Sequence, residues 1–297
     1  MTKPKVLGTG LSGLVGSRVV KLLVDEFEFV NLDLKNGVDI TNKDQVFKVF
    51  KEHQDAIGVI HLAAMTDVSR AYQEKGDKDG LVYKVNVVGT ENVVKAAAYF
   101  KKYLFHVSTD FVFDGTKKTP YTEEDEPNPI EWYGQTKLWA EGVVTKEHDD
   151  YFIGRLSFPI NADEPGGRQD FLHKVLNWLA NEEERSLFKD TIVTPTFIDD
   201  VAQVIKRAIQ HRIVGLYHMT GSTFISPYNF ARRVAKVFGF DDKKIKPGSF
   251  KAYLKIDPRP RQQYLAISNK KLETELGFKM SNLDTALAMI HWQMGGI

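Results

Sequence analysis

The segment VLGTGLSGLVGS, residues 6–17, places four glycines between a short apolar run and a stretch of helical periodicity. Gly8, Gly10 and Gly13 satisfy the pattern GxGxxG, and Gly10, Gly13 and Gly16 satisfy GxxGxxG. A tight turn whose backbone approaches a pyrophosphate requires glycine, and the helix that follows offers N–H groups and a positive dipole end. The segment therefore predicts a nucleotide-binding α/β fold; a glycine-rich turn without a ligand is the alternative.

Asp33 ends the second predicted strand, 17 residues after Gly16. A carboxylate there can accept hydrogen bonds from the adenosine ribose hydroxyls and repels a 2′-phosphate, which favours NAD. Lys35 could offset that repulsion, so both NAD(H) and NADP(H) remain open as cofactors; a plain turn residue is the other interpretation of Asp33. Together with Asp33, the residues predicted to contact the cofactor in the glycine turn and the first helix are Gly10, Ser12, Gly13, Leu14, Val15 and Gly16.

Short apolar runs alternate with longer segments of helical period along the first half of the chain. Such alternation predicts right-handed crossovers and a parallel sheet covered on both faces. The predicted strands cover 5–8, 27–33, 57–63, 103–108, 151–157 and 217–221. The predicted helices cover 14–27, 42–53, 80–100, a segment starting near 133, 170–181, 226–238, 268–276 and 283–294.

The fold class expected is a Rossmann-like, doubly wound α/β sheet with a smaller C-terminal lobe. We expect residues 1–157 to form the dinucleotide-binding domain and residues 158–297 to form mainly a substrate-binding lobe. The segment of about 193–215 is expected to return to the first domain. No Pro-, Gly- or Ser-rich linker separates the two halves.

Composition excludes several classes of protein. The net charge of +1 gives no electrostatic case for nucleic acid or an anionic membrane. The absence of Cys excludes disulfides, thiolate zinc sites and a Cys nucleophile, and fits a cytoplasmic location. The eight His residues show no metal-binding spacing, so no metal is predicted.

Polar side chains end the fourth predicted strand, where ligands of open α/β sheets bind. Ser108, Thr109 and Asp110 stand there, although such residues also commonly close a strand in a turn. Tyr133 is the only Tyr of the chain with a Lys four residues later, Lys137, and on a helix the two lie on one face. Chance alone supplies about one such pair in this chain, so the pair indicates an active site only if its position in the fold supports one.

Five sequence blocks carry a resemblance to a known family. They are GLSGLVGS (10–17), HLAAMTDVS (61–69), VNVVGTENV (85–93), STDFVFDG (108–115) and YGQTK (133–137). In order and spacing they resemble the extended short-chain dehydrogenase/reductase family, and within it the dTDP-4-dehydrorhamnose reductase subfamily. The likeness continues through RPRQQYLAISNKKL (259–272) and so covers nearly the whole chain.

The resemblance implies reduction of a nucleotide-linked 4-keto-6-deoxy sugar by NAD(P)H. It implies that Tyr133 donates a proton, that Lys137 lowers the pKa of the phenol towards neutrality, and that Thr109 binds the substrate oxygen. Further cofactor contacts are implied for Asp39, Ile40, Leu62, Ala63, Ala64 and Asn86 as well as Tyr133 and Lys137. Contacts with a nucleoside diphosphate sugar are implied for Thr66, Ser108, Thr109, Asp110, Phe111, Tyr133, Phe158 and Arg259.

Two positions depart from the subfamily. Phe111 stands where Tyr is usual, and Phe158 where Trp is usual, so each aromatic side chain has lost a hydrogen-bonding group. The exact sugar nucleotide is therefore left open. An epimerase or dehydratase of the same family and a non-catalytic NADP-binding regulatory subunit stay as alternatives, and a homodimer is compatible with the sequence.

Overall fold

The computed structural model describes residues 2–167 and 169–296. Its strands are β1 (Lys5–Thr9), β2 (Glu28–Asn31), β3 (Gly58–His61), β4 (Tyr103–Thr109), β5 (Tyr151–Leu156), β6 (Pro159–Ile160), β7 (Arg185–Phe188), β8 (Thr196–Phe197), β9 (Gly215–Met219) and β10 (Ile245–Gly248). Six of them form one parallel sheet in the order β2-β1-β3-β4-β5-β9. The strand order reverses beside β1, so the carboxyl ends of β1 and β3 border the crevice in which such sheets bind ligands.

The helices cover the sheet on both faces, as the alternation of the sequence predicts. They are α1 (Leu14–Leu23), α2 (Lys43–Glu52), α3 (Val68–Gln73), α4 (Leu81–Tyr83), α5 (Thr90–Tyr99), α6 (Trp132–Glu147), α7 (Phe171–Ala180), α8 (Ile198–His211), α9 (Pro227–Phe238), α10 (Phe250–Tyr253), α11 (Lys270–Leu276) and α12 (Leu283–Gln293). The Rossmann-like doubly wound fold is confirmed. Within the described residues, no helix is long and apolar enough to cross a membrane.

Neighbouring strand residues feed two separate hydrophobic layers because side chains alternate between the faces of a sheet. Val6 of β1 belongs to the layer that includes α1 and α8. Leu7, the next residue, belongs to the layer on the other face, which includes α2, α5 and Val144 of α6. Because both faces of the sheet are buried, the strands are continuous apolar runs in the sequence.

A third hydrophobic cluster lies in the C-terminal part of the chain, where α7, α9 and α12 pack together around Phe230 and Leu287. Helix α8, in contrast, packs against α1 and the central sheet. These two packing patterns support the division into a domain of residues 1–157 and a lobe of 158–297. We retain that division, with the return of the segment 193–215, as a proposal.

The predicted helix over 80–100 is interrupted by a π-helical segment, Lys84–Gly89. Asn86 lies in it and is buried, and its amide bonds with both backbone groups of Met65 and with Thr136 Oγ1. An inserted π turn changes the register of a helix by one residue, which hydrophobic periodicity does not resolve.

Arg18 on α1 links the sheet to the C-terminal lobe. Its guanidinium donates to both carboxylate oxygens of Asp199 on α8, at 2.7 and 2.6 Å, and to Asp163 at 2.9 Å. It also donates to Gln293 of α12 at 2.8 Å, and only 4% of Arg18 is exposed. The network therefore ties Asp163, α8 and α12 to the helix that follows the glycine turn.

We expect Arg18→Met to lower the free energy of unfolding by about 3–5 kcal/mol, because it leaves Asp199 without its buried partner. The matched control is Lys21→Met, which removes an exposed ammonium from the same Asp163 and should cost about 1 kcal/mol or less. Urea denaturation measures both. Equal losses in the two variants would contradict the assigned role of Arg18.

Candidate active site

The glycine turn contacts the segment that follows β3. Gly10 has a φ of +70°, and a Cβ at this position would stand 2.6 Å from the Ala63 nitrogen and 2.7 Å from the Leu62 carbonyl carbon. A Cβ at Gly16 would collide with the Gly10 carbonyl oxygen. Gly13 is the N-cap of α1 and brings no side chain to its first turn, where Leu14 and Val15 stand. The turn thus fits a dinucleotide pyrophosphate, because backbone N–H groups can approach it without side chains between.

Asp33 reaches the same turn from the end of β2. Its carboxylate accepts the N–H of Gly10 at 2.5 Å and that of Ser12 at 2.9 Å. Asn31 adds a bond from its amide to the Ser12 hydroxyl at 3.1 Å. Asp33 therefore holds the turn in shape, and its contact with a ribose stays a prediction.

Asp39 and Ile40 lie in the segment between β2 and α2. The Asp39 carboxylate accepts the N–H and the hydroxyl of Thr41, at 2.9 and 2.8 Å. The Ile40 carbonyl accepts the Asn92 amide at 2.9 Å, and its side chain packs where a Cβ of Gly89 would project. Leu62, Ala63 and Ala64 continue β3 and are half-buried.

The structure brings Thr109 and Tyr133 together. Thr109 ends β4, Tyr133 lies in the first turn of α6, and the Thr109 hydroxyl is close enough to the phenol to influence its pKa. Phe111 packs edge-on against the Tyr133 ring, with the two centroids 5.5 Å apart. Lys137 lies one turn further along α6, and its Nζ donates to the Val107 carbonyl of β4 at 2.8 Å.

Burial raises the pKa of Tyr133 above its ordinary value, the Thr109 hydrogen bond opposes that rise, and the nearby Asp110 carboxylate adds to it. The predicted decrease of this pKa towards neutrality by Lys137 is therefore wrong for the arrangement observed. Burial also lowers the pKa of Lys137 to about 8, against the raising effect of the Glu141 carboxylate. At neutral pH the site thus holds a protonated phenol beside an ammonium group close to its own pKa.

Asp110 is buried between two hydroxyl groups. It accepts from Ser157 at 2.6 Å and from Thr109 at 3.1 Å, and burial raises its pKa to about 6 although these bonds oppose the rise. Ser108, the third predicted residue at this strand end, is also buried. Sequence reasoning missed Ser157, because a Ser in the segment after a strand gives no distinctive signal.

Three further predicted substrate residues lie outside β4 and α6. Thr66 is exposed in the segment before α3. Phe158 packs against Phe171, with ring centroids 5.2 Å apart, and has an unusual φ of +42°. Arg259 donates to the Asp257 carboxylate and, at 2.8 Å, to the Ser69 hydroxyl.

A groove connects Arg259 with the start of α6. It is lined by Val68, Tyr72, Lys75, Ile130, Glu131, Trp132, Arg259, Pro260 and Arg261. Burial raises the pKa of Glu131 to about 7, although Arg261 and Arg259 oppose that rise. Sequence reasoning missed Glu131, since its proximity to two arginines far along the chain arises only on folding.

No group of three or more acidic or His side chains within residues 2–167 and 169–296 is arranged to hold a metal ion. The site as described depends on hydroxyl, amino, carboxyl and backbone groups. That no metal takes part remains a prediction.

Comparisons with known proteins support the fold and identify the family. The model of the RmlD substrate binding domain matches residues 4–295. The chain is 34% identical over 235 residues, 76% of each chain, to a dTDP-4-dehydrorhamnose reductase of Aggregatibacter actinomycetemcomitans. It is 31% identical to the probable low-salt glycan biosynthesis reductase Agl14 of Haloferax volcanii, over 95% of both chains.

Among solved structures, a dTDP-4-dehydrorhamnose reductase of Bacillus anthracis in complex with NADP superposes with a TM-score of 0.89 at 28% identity, covering 98% of this chain and 100% of that one. The fold, the site and these relatives define an NAD(P)-dependent oxidoreductase of the short-chain dehydrogenase/reductase type. Within that class, the chain belongs to the RmlD family of extended short-chain dehydrogenases/reductases.

Gly134, next to Tyr133, allows α6 to approach the turn after β4. A Cβ there would collide with the Phe111 carbonyl oxygen, so we expect Gly134→Ala to lower the free energy of unfolding by about 1–3 kcal/mol. A Cβ at Gly142 on the same helix would have no neighbour within 4 Å, so Gly142→Ala should raise the free energy of unfolding by about 0.5–1 kcal/mol. Thermal unfolding of both variants measures the difference. A Gly134→Ala protein as stable as Gly142→Ala would refute the close approach.

Proposed function

We propose that this protein reduces the C4 ketone of a dTDP-linked 4-keto-6-deoxyhexose with NAD(P)H, converting dTDP-4-dehydrorhamnose to dTDP-rhamnose. The observation that carries the proposal is the meeting of Thr109, at the end of β4, with Tyr133, in the first turn of α6, and with Lys137 buried one turn away. The names of the relatives supply the substrate class. A nucleoside diphosphate sugar is accordingly the expected small-molecule partner.

The bound nicotinamide would supply the hydride. Tyr133 would give its phenolic proton to the oxygen of the reduced carbonyl, and its raised pKa keeps that proton in place at neutral pH. The Thr109 hydroxyl, which donates to Asp110 in this structure, would turn its hydrogen towards the same oxygen while negative charge develops there. Lys137, as an ammonium, would stabilise the phenolate that the proton transfer leaves behind.

Access of water to this site is limited. Tyr133 is 9% exposed, and Phe111 covers one side of its ring. Charge interactions are stronger where water is excluded. The ammonium of Lys137 and the hydroxyl of Thr109 would therefore stabilise negative charge more strongly here than at the protein surface.

One observation favours a second candidate, a dehydratase or epimerase of the same family. Asp110 and Glu131 both lie near the start of α6, and burial raises the pKa of each. Two such carboxyl groups could serve as an acid and a base. The candidates differ in stoichiometry, because a reductase consumes one NAD(P)H for each sugar whereas the others regenerate their cofactor.

A regulatory subunit without turnover would bind NADP yet oxidise no coenzyme. Incubation with dTDP-4-dehydrorhamnose and NADPH or NADH, followed at the nicotinamide absorbance band, distinguishes the reductase from the other two candidates. Stoichiometric oxidation supports the reductase. A cytoplasmic location and a homodimer remain predictions that this assay does not address.

We expect Tyr133→Phe to lower kcat at least about 100-fold, because the general acid is lost. Binding of NADPH, followed by the quenching of protein fluorescence, should stay within about 2-fold of the unsubstituted protein, because the glycine turn is untouched. Tyr99→Phe, at a position that is 73% exposed on α5, is the matched control and should keep full activity. Undiminished turnover in Tyr133→Phe would overturn the assigned acid.

A further inference from the structure

Three functional groups stand on one face of α6 at intervals of four residues. They are the phenol of Tyr133, the ammonium of Lys137 and the carboxylate of Glu141. Lys137 is 3% exposed and Glu141 is 4% exposed, so both charged groups are buried within the protein. A buried ammonium is costly unless an opposite charge lies close by, and residues four apart on a helix are neighbours.

Arg155 holds the Glu141 carboxylate in place. From strand β5 it donates through Nε to Oε1 at 2.9 Å and through Nη2 to Oε2 at 2.7 Å. Arg155 is itself buried, and its guanidinium lies 5.1 Å from the centre of the Phe113 ring. This two-bond contact prevents Glu141 from rotating away from the helix face that it shares with Lys137.

The other elements around Lys137 bring no second anion to its ammonium among the described residues. His61 of β3 and His106 of β4 are fully buried, and burial lowers the pKa of His61 to about 3 and that of His106 well below its ordinary value. Both rings are therefore neutral at pH 7. His218 of β9 contacts Arg155 on its far side, and burial lowers its pKa to about 3 as well.

We propose that Glu141, oriented by Arg155, is a positioning residue that keeps the ammonium of Lys137 charged in its buried position. The proposal rests on the role of Lys137 in the proposed function and extends it by one helical turn. Glu141 touches neither substrate nor cofactor in this account. It acts through its charge on Lys137, which in turn stabilises the Tyr133 phenolate.

The direction of the effect follows from the charges. Burial lowers the pKa of Lys137, whereas the Glu141 carboxylate raises it. The resulting pKa of Lys137 is about 8. Replacing Glu141 by Gln removes the raising effect, so the pKa of Lys137 should fall further, by about one unit or more. Reduction requires the charged ammonium, so the alkaline decline of kcat/KM should move to lower pH by the same amount.

The direct test is an NMR titration of protein labelled with ¹³C at the ε carbon of lysine. The Lys137 signal is assigned from its absence in Lys137→Arg. We expect a midpoint near pH 8 in the unsubstituted protein, a lower midpoint in Glu141→Gln, and a nearly unchanged midpoint in Glu141→Asp, which keeps the charge. Arg155→Lys, which keeps both charges but loses the two-bond geometry, should also leave the midpoint nearly unchanged.

Glu141→Gln leaves Arg155 as an unpaired buried cation and so threatens folding. The double variant Glu141→Gln/Arg155→Met removes both charges at similar volume, and the midpoint of Lys137 should again fall. An unmoved midpoint in either variant would overturn the proposal. The titration needs no turnover, so a moved midpoint in a protein that reduces no sugar would refute the proposed function alone.

Discussion

Helix α6 approaches the end of β4 so closely that a methyl group at Gly134 would collide with the Phe111 carbonyl oxygen. That approach places the phenol of Tyr133 against the Thr109 hydroxyl and the Nζ of Lys137 against the Val107 carbonyl. The two functional elements come from different parts of the chain, a strand end and a helix start. Their contact is therefore the constraint on which the proposed chemistry depends.

The ends of β1 and β3 carry the glycine turn that is proposed to hold the cofactor. Gly10 has no room for a side chain beside Ala63, so β1 and β3 meet without an intervening group at the crevice of the sheet. Asn86 extends this connection, because its amide bonds with Met65 after β3 and with Thr136 on α6. The segment after β3, which borders the glycine turn, and helix α6 are in this way joined through one buried amide group.

Much of this organisation could be predicted from the sequence, because it rests on local patterns. The glycine spacing, the alternation of strands and helices, and the four-residue interval from Tyr133 to Lys137 are all visible along the chain. Glu141 continues that interval, so a search for the next turn of the same face would have found it. Contacts between residues far apart in the sequence could not be predicted, such as that of Ser69 with Arg259 and that of Ser157 with Asp110. The π turn that contains Asn86 could not be predicted either. The sign of the Tyr133 pKa shift was mispredicted because burial outweighs every other influence on the phenol, and burial is a property of the folded chain.

The transfer of hydride to C4 of the sugar is the central claim, and isotopic labelling tests it most directly. Incubation with dTDP-4-dehydrorhamnose and NADPH carrying deuterium at C4 of the nicotinamide, in separate experiments for its two faces, should place one deuterium at C4 of the product hexose with one of the two labelled coenzymes. Proton NMR of the isolated product determines which carbon carries the deuterium. A product without deuterium from either coenzyme, or with deuterium at another carbon, would contradict the account.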